Sequence, residues 1–487
     1  MIKVIHNLNR TLSIVALSLT TLISPLQAGA SRHPAKSDRR KKTEKPDRRK
    51  QTENRKQPNK AARADRRRAE ARRRAEAARL AAAARERAAE EAMRDQVKSM
   101  IAKDDVSGED PEIRRIAVNA LGDHAGTVVV MNPRTGRVYT IVNQQWALRE
   151  GFKPCSTIKL VTGLAGLNER VIDPSNTTAI SDSNRVDLTH ALAYSKNEYF
   201  QQVGGQVGFS KMISYARSMG LGEKTGINAR NESAGRVPTS KTGFAVNHMS
   251  SHGDDFKVTA LQLATLVSTI ANGGKLITPF VAHTAQDEKR STAKVRRIVN
   301  IDSESFQRMI PGMIGSVSYG SGKRAFDPQA IVAGKTGTCI EHGTWVGLFT
   351  SYAPLNDPRL AVAVIARGSD GRNHFPATVA GRIYRDLNSR LGVAGNIDIA
   401  SKRPLIPATP AATDADADTD EEEADAEELA NDSSTTKVDS AKPVWGDQRK
   451  AVDSKIKRTV MTLPSRPTQP ANNKSADQRP RRAGERQ

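Results

Sequence analysis

A serine and a lysine in the stretch "PCSTIKL" are the first residues whose types and spacing could do chemistry. Ser156 precedes Lys159 by three positions, and on a helix this spacing places both side chains on one face. The amine can then take the proton of the hydroxyl, and burial favours this at neutral pH because it disfavours the charged form of a lysine. The pattern is not specific by itself, since Ser-x-x-Lys also begins at Ser291, Ser434 and Ser454.

Two later motifs single out Ser156 among these candidates. Ser195 and Asn197 belong to the only Ser-x-Asn of the chain, in "ALAYSKNEYF". Lys335 begins a Lys-Thr-Gly-Thr within the β-rich run "AIVAGKTGTCI". A second Lys-Thr-Gly begins at Lys241, but it precedes a helix and lacks a β-run, so we take Lys335 as the functional one.

The elements that must position these residues form a domain from about residue 110 to 395. The stretch "GTVVVMNPRTGRVYTIV" predicts a β-hairpin, and apolar residues on almost all sides of the helix after Ser156 predict that this helix is buried. Residues 259–272 predict a helix with Thr259 as its N-cap. Three strand-like runs and a final helix from about residue 377 to 391 follow. Strands at both ends with helices between them indicate an α+β domain.

A serine nucleophile, Ser-x-Asn and Lys-Thr-Gly, in this order, are the three motifs of the penicillin-recognising serine acyltransferases. Over about residues 115–395 the chain resembles the transpeptidase domain of penicillin-binding proteins, and "ARSMGLGEKTGI", "NESAGRVP" and "TALQLATLVSTIANGGKLITP" are similar to further stretches of that family. The resemblance implies an antiparallel five-stranded sheet flanked by helices. It also implies a reduced all-helical subdomain, because Ser195 comes only 39 positions after Ser156.

The resemblance implies a role for each motif residue in a peptidoglycan D,D-transpeptidase. Ser156 attacks the D-Ala-D-Ala carbonyl of a stem peptide and forms an acyl-serine, with Lys159 as general base. Ser195 passes the proton to the leaving amine, and Asn197 binds the substrate amide. Stem peptides and β-lactams are the implied partners, and no cofactor is implied. Lys335, Thr336 and Thr338 hold the terminal carboxylate, and Gly337 belongs with the two threonines to the substrate-binding residues of the third motif.

Three other functions stay open from the sequence. A D,D-carboxypeptidase replaces the acceptor amine by water and has the same motifs. A serine β-lactamase needs a base that places water on the acyl-serine, such as a glutamate or a carbamylated lysine in an apolar pocket, and Glu232 in "NESAGRVP" is the nearest acid. A non-enzymatic envelope protein that senses β-lactams or muropeptides is the third alternative. A metal site at His248 and His252 is not expected, because no third clustered ligand accompanies this pair.

Only two cysteines occur in the chain, and both lie beside the motifs. Cys155 directly precedes Ser156, where the family usually has glycine, and Cys339 lies two residues after Gly337. Some carbapenem-hydrolysing class A β-lactamases have a similar arrangement, with a bridge between these two places. The resemblance therefore implies a disulfide between Cys155 and Cys339, and export to an oxidising compartment permits it.

The first thirty residues predict export. Lys3 and Arg10 precede an apolar run that ends before Pro25, and small residues follow in a cleavage-like pattern. We therefore assign residues 1–30 to a signal peptide and the protein to the periplasm or cell envelope, with an uncleaved inner-membrane anchor as the alternative. Export makes nucleic acid an unsuitable partner despite the formal net charge of +23.

Charged arms flank the domain on both sides. Residues 31–60 are expected to be basic and disordered, residues 61–100 to form an Ala/Arg/Glu-rich helix, and residues 396–487 to be a disordered tail with an acidic block. Residues 31–100 contain 25 Lys and Arg against 11 Asp and Glu. This basic arm predicts binding to anionic wall or membrane material.

Overall fold

The structure is a computed structural model that describes residues 48–173, 175–181 and 184–392. The predicted signal peptide, residues 1–30, and the predicted tail, residues 396–487, lie outside these ranges. The chain divides into two compact units, residues 1–92 and 93–487. Within the described residues, no helix combines the length and the apolar character that crossing a membrane requires.

A long helix, α1, extends from Arg48 to Ile101. It begins earlier than residue 61, where the sequence predicts its start, and so includes part of the segment 31–60. Lys, Arg, Gln and Glu of this part have high helix propensity, and the helix continues through Pro58. In the first unit the described side chains are nearly all exposed, and Leu80 is 65% exposed.

The strands among the described residues are β1 (Gly126–Met131), β2 (Arg137–Val142), β3 (Thr178–Ser181), β4 (Asn184–Val186), β5 (Lys275–Ile277), β6 (Phe280–Val281), β7 (Val295–Ile298), β8 (Ala333–Glu341), β9 (Thr344–Ala353) and β10 (Leu360–Arg367). A six-stranded sheet forms the centre of the second unit, in the order β6-β2-β1-β10-β9-β8. Neighbouring strands are antiparallel except β2 and β6, which are parallel.

The expected count of five antiparallel strands was therefore wrong by one. The additional strand, β6, has only two residues and pairs with Arg137 and Val138 of β2. A two-residue run is too short to show the alternation by which a strand is recognised in a sequence. The predicted hairpin is confirmed as β1 and β2, and the three predicted strand-like runs are confirmed as β8, β9 and β10.

Helices cover both faces of the sheet, as an α+β domain requires. The helices after α1 are α2 (Pro111–Leu121), α3 (Lys159–Asn168), α4 (Leu188–Ala193), α5 (Asn197–Val207), α6 (Phe209–Ser218), α7 (Phe244–His252), α8 (Ala260–Ala271), α9 (Ala285–Glu288), α10 (Ser303–Ser318) and α11 (Phe375–Leu391). The side chains of β1 alternate between the two faces: Val128 and Val130 pack in the core with α2 and α11, whereas Val129 and Met131 pack in the core with α3 and α8.

The helix predicted over residues 259–272 is confirmed as α8. The Thr259 hydroxyl accepts a hydrogen bond from the backbone N–H of Gln262, and the Gln262 side chain accepts one from the backbone N–H of Thr259. This reciprocal pair forms a capping box. The predicted buried helix is also confirmed, since α3 is buried from Lys159 to Leu167.

The segment between α3 and α5 is short but not all-helical. Strands β3 and β4 pair in a two-stranded ribbon before α4. The expectation of an all-helical subdomain was therefore incomplete. A ribbon of four and three residues with little apolar alternation carries a weak sequence signal.

Candidate active site

Ser156 and Lys159 meet at the junction of two helical segments. Ser156 lies in a 3₁₀ turn, Cys155–Ile158, and Lys159 is the first residue of α3. Residues three apart eclipse each other in a 3₁₀ turn, so the shared face is kept although Ser156 does not lie in the α-helix itself. The Lys159 Nζ to Ser156 Oγ distance is 2.9 Å, and both side chains are buried.

The Lys159 amine also contacts both functional residues of the Ser-x-Asn motif. Its Nζ lies 2.8 Å from Ser195 Oγ and 2.6 Å from Asn197 Oδ1. Ser195 has a left-handed backbone with φ of 58°, and Asn197 is the first residue of α5. The unusual backbone turns the chain so that both side chains point at the same amine.

Lys335 reaches the same serine hydroxyl from the sheet. Its Nζ lies 2.8 Å from Ser195 Oγ and 3.0 Å from the Thr336 backbone carbonyl, and the residue is fully buried. Ser195 Oγ thus lies between two lysine amines. Lys241, the lysine of the second Lys-Thr-Gly, lies before α7 and instead pairs with Asp255, which follows α7. The structure therefore brings Lys335, and not Lys241, to the serines.

Residues 153–158, which carry Ser156, are called the nucleophile turn below. Strand β8 passes close to this turn at Gly337. A Cβ on Gly337 would lie 2.9 Å from the Pro154 carbonyl oxygen and 3.2 Å from the Thr157 backbone nitrogen. Only glycine fits there without a backbone shift. The third motif therefore needs its glycine for packing against the turn that carries Ser156.

The disulfide expected between Cys155 and Cys339 is present, with a Cα–Cα distance of 5.7 Å. Cys155 has φ of 48°, in the left-handed region that glycine tolerates best. The resemblance implies glycine at this position, and a positive φ gives that expectation a physical reason. In this chain a cysteine occupies the same conformation and is bonded to β8.

A buried glutamate adds a further connection, which the sequence reading missed. Glu341 Oε1 accepts a hydrogen bond of 3.1 Å from the Lys153 backbone N–H and pairs with Lys257, and its Oε2 lies 3.3 Å from Arg367 Nη2. Successive residues of a strand alternate between its faces, so residues two apart share one. Four residues of β8 at this spacing contact the nucleophile turn or the Ser-x-Asn serine: Lys335, Gly337, Cys339 and Glu341.

The two threonines of the third motif, Thr336 and Thr338, lie on the opposite face of β8. Thr336 Oγ1 lies 2.6 Å from Ser321 Oγ, and Thr338 Oγ1 lies 3.5 Å from His374 Nδ1. Neither Ser321 nor His374 belongs to a motif, and both were missed from the sequence because only the fold brings them to β8.

A cluster of charged residues lies around the end of α7. The rings of His248 and His252 stack with centroids 3.8 Å apart, and His248 and Lys153 both bind Asp254. Burial lowers the pKa of His252 to about 3, and the charges of His248 and Lys159 act in the same direction. Burial alone would raise the pKa of Asp254, but His248 and Lys153 hold it below its ordinary value. Among the residues that the structure describes, no three His, Cys, Asp or Glu side chains form a group suited to a metal ion.

The geometry agrees with a comparison of the sequence against protein families. The family model described as penicillin binding protein transpeptidase domain matches residues 126–389. The chain belongs to this family. The matched transpeptidase domain includes all ten residues singled out from the sequence, from Cys155 to Cys339.

Curated relatives of the transpeptidase domain are similar at low identity. Stage V sporulation protein D of Bacillus subtilis is 26% identical over 319 residues, which are 54% of this chain and 49% of that protein. Peptidoglycan D,D-transpeptidase MrdA of Acinetobacter baumannii is 25% identical over 334 residues, which are 51% of this chain and 49% of that protein. The chain spans about half the length of these curated relatives.

A solved structure supports the same fold. The TP domain of penicillin-binding protein 3 from Burkholderia pseudomallei matches with a TM-score of 0.52 and 20% identity, over 60% of this chain and 97% of that chain. At this identity the likeness shows the fold alone. It confirms the α+β fold expected for the transpeptidase domain, with the strand count corrected as above.

Proposed function

We propose that the transpeptidase domain is a peptidoglycan D,D-transpeptidase that works through an acyl-serine intermediate. One observation carries the proposal: Lys159 Nζ lies 2.9 Å from Ser156 Oγ and 2.8 Å from Ser195 Oγ, and Lys335 Nζ lies 2.8 Å from the same Ser195 Oγ. A nucleophile within hydrogen-bond reach of a base, which a third group orients, is the arrangement of covalent catalysis by serine.

In the acylation step, Lys159 Nζ takes the proton of Ser156 Oγ while this oxygen attacks the carbonyl carbon of the penultimate D-Ala. The carbonyl oxygen becomes an oxyanion, and the backbone N–H groups of Ser156 and Thr338 stabilise it. The C–N bond then breaks, and the leaving D-Ala amine receives a proton through Ser195 Oγ. The product is an ester between the donor peptide and Ser156.

Substrate binding is assigned to the residues around this centre. Lys335, Thr336 and Thr338 hold the terminal carboxylate of the donor, a group that needs positive charge and hydroxyl donors. Asn197 binds the substrate amide, and Gly337 lets β8 approach the nucleophile turn. In the second step an amine of another stem peptide attacks the ester carbonyl and gives its proton to Ser195 Oγ. The bond between the carbonyl carbon and Ser156 Oγ breaks, this oxygen recovers a proton through Lys159, and the cross-linked peptide leaves.

The serine β-lactamase alternative receives less support, because its candidate acid is bound elsewhere. Glu232 accepts hydrogen bonds from the backbone N–H and hydroxyl of Thr225 and from the backbone N–H of Gly226. These bonds give Glu232 a structural role in its own loop. A D,D-carboxypeptidase would use the same residues with water as acceptor, and a sensing protein would need the acylation step only.

A fluorescent penicillin tests the proposal, and the two Lys-Thr-Gly motifs supply a matched control. We expect labelling of the full chain, loss of labelling in Ser156→Ala, a large loss in Lys335→Ala and normal labelling in Lys241→Ala. Absence of labelling in the wild type, or labelling that survives Ser156→Ala, would refute an acyl-serine at this position.

The fate of the label and of peptide substrates separates the alternatives. A label that persists for hours favours a transpeptidase or carboxypeptidase, whereas rapid loss favours a β-lactamase. With a donor pentapeptide and an acceptor amine, a transpeptidase forms the cross-linked product, and a carboxypeptidase releases D-Ala without it. Labelling without turnover of any peptide would favour a sensing protein.

For the whole chain we propose export to the periplasm or cell envelope. In the alternative, residues 1–30 are not cleaved and anchor the protein in the inner membrane. The predicted signal at residues 1–30 and the cell-wall chemistry of the transpeptidase domain support this. Processing between residues 28 and 31, read by N-terminal sequencing of the mature protein, would distinguish the two.

We also propose that the basic arm, residues 31–100, binds anionic wall or membrane material. Its exposed Arg side chains between residues 63 and 87 support this. Binding to anionic vesicles or isolated wall should weaken as salt rises, because exposed charges are screened. Deletion of residues 31–100 should abolish it, and unchanged binding by the shortened protein would refute it.

A further inference from the structure

A loop from β10 to α11, residues 368–374, is fixed against the neighbouring strand β9. A Cβ on Gly347 of β9 would lie 2.2 Å from the Gly371 carbonyl oxygen, so the two backbones touch. The Arg372 guanidinium lies over the Trp345 ring, 5.1 Å from its centroid. These contacts hold the loop in one place next to the end of the third motif.

Two consecutive non-glycine residues of this loop have a left-handed backbone. Asn373 has φ of 52° and His374 has φ of 50°. Left-handed non-glycine residues are uncommon, and strained conformations cluster at binding and catalytic sites. Here the strained pair ends the loop and places His374 Nδ1 3.5 Å from Thr338 Oγ1.

The two threonines of the third motif differ in their neighbours. The Thr336 hydroxyl lies 2.6 Å from that of Ser321, whereas the Thr338 hydroxyl faces an imidazole. A threonine hydroxyl has one proton to donate and two lone pairs. If the imidazole nitrogen carries a proton, it donates to Thr338 Oγ1, and the hydroxyl proton of Thr338 is then available to a bound ligand.

We propose that His374 is a positioning residue for the donor substrate. Its Nδ1–H donates to Thr338 Oγ1 and directs the Thr338 hydroxyl toward the carboxylate of the stem peptide or β-lactam. The inference rests on the proposed function, because it assigns that carboxylate to Thr338. It adds a residue outside the three motifs. Through this residue the site prefers a ligand with a free carboxylate over a ligand in which that group is neutral.

Two substitutions of His374 separate side-chain chemistry from backbone strain. Glycine tolerates positive φ and removes the imidazole, so His374→Gly tests the side chain without a clash of the backbone. Asparagine also tolerates this conformation and carries an N–H donor, so His374→Asn is the conservative variant. The melting temperatures of both variants report whether the loop keeps its fold.

The experiment measures the second-order rate constant of Ser156 acylation by a penicillin and by its methyl ester. We expect His374→Gly to lower the ratio of acid to ester by about tenfold, the lower end of the effect of one hydrogen bond to a charged group. His374→Asn should restore most of the ratio. In a Thr338→Val background, His374→Gly should change the ratio no further.

Three results would overturn the inference: an unchanged ratio in His374→Gly, a ratio in His374→Asn as low as in His374→Gly, or a full additional loss in the Thr338→Val background. Each of these leaves the acyl-serine proposal intact as long as the wild type is labelled at Ser156. A wild type that no penicillin acylates would instead refute the proposed function itself.

Discussion

The bridge between Cys155 and Cys339 should stabilise the second unit by a measurable amount. It joins residues 184 apart, and the loss of chain entropy in the unfolded state for a loop of this length corresponds to about 5 kcal/mol. The perturbation we propose is a pair of double variants, Cys155→Ala/Cys339→Ala and Cys155→Gly/Cys339→Ala. Both remove the bridge, and they differ only in the residue before Ser156.

The difference in the free energy of unfolding between the two variants measures the cost of the left-handed backbone at residue 155. Cys155 has φ of 48°, a conformation that costs a non-glycine residue about 1–2 kcal/mol. Glycine avoids this cost but loses about 0.5–1 kcal/mol through its greater freedom in the unfolded chain. We therefore expect the Gly variant to be more stable than the Ala variant by about 0.5–1 kcal/mol, although both are less stable than the oxidised wild type.

Urea unfolding followed by tryptophan fluorescence provides the assay, with reduced wild type as the control that keeps both side chains. The reduced protein should unfold at a lower urea concentration than the oxidised protein, close to the Ala variant. Equal midpoints for oxidised and reduced wild type would refute the entropic argument. An Ala variant at least as stable as the Gly variant would refute the backbone argument.

Two further outcomes follow from other contacts of the site. Gly337→Ala would place a Cβ 2.9 Å from the Pro154 carbonyl oxygen, so we expect β8 and the nucleophile turn to shift apart. The acylation rate constant should fall by about 100-fold, which penicillin labelling kinetics would detect. An unchanged rate would contradict this. For His252, burial lowers the pKa to about 3, whereas the unfolded chain binds the proton near 6.5. The free energy of unfolding is therefore highest above pH 6.5 and decreases as the pH falls toward 3, because only the unfolded chain binds this proton. The decrease is about 2 kcal/mol by pH 5. His252→Asn should show a smaller loss in unfolding experiments between pH 7 and 5, and equal losses would contradict the assignment.

The sequence predicted the parts of the fold that carry long periodic patterns. The hairpin, α3, α8 and the strands β8 to β10 each span enough residues for a period of 2 or 3.6 to be visible. The two-residue strand β6 and the ribbon of β3 and β4 are too short to show such a period. The expected strand count was therefore wrong by one, and the expectation of an all-helical subdomain was incomplete. The motif residues were found because their order along the chain is specific, not because the sequence shows their geometry.

Other residues of the site became visible only in three dimensions. Nothing in the sequence places His374 beside Thr338, because the approach depends on the packing of the loop against Gly347. Glu341 could have been found, since it lies two residues after Cys339 and therefore shares its face of β8. The missing information was its partner, the backbone N–H of Lys153, which becomes a neighbour only when β8 lies along the turn.

The contacts along β8 suggest that the disulfide affects stability more than reactivity. The entropic effect of the bridge acts on the unfolded chain, whereas the close approach at Gly337 and the Glu341 bond to Lys153 act on the folded chain. Neither depends on the bridge, so we expect both to remain after reduction and to keep the turn that carries Ser156 in place. We therefore expect oxidised and reduced protein to be acylated by penicillin at rates within about threefold, well below the roughly 100-fold effect of moving a reacting group by about 1 Å. A loss near 100-fold on reduction would mean that the bridge itself positions Ser156, and that the neighbouring contacts on β8 are too weak to replace it.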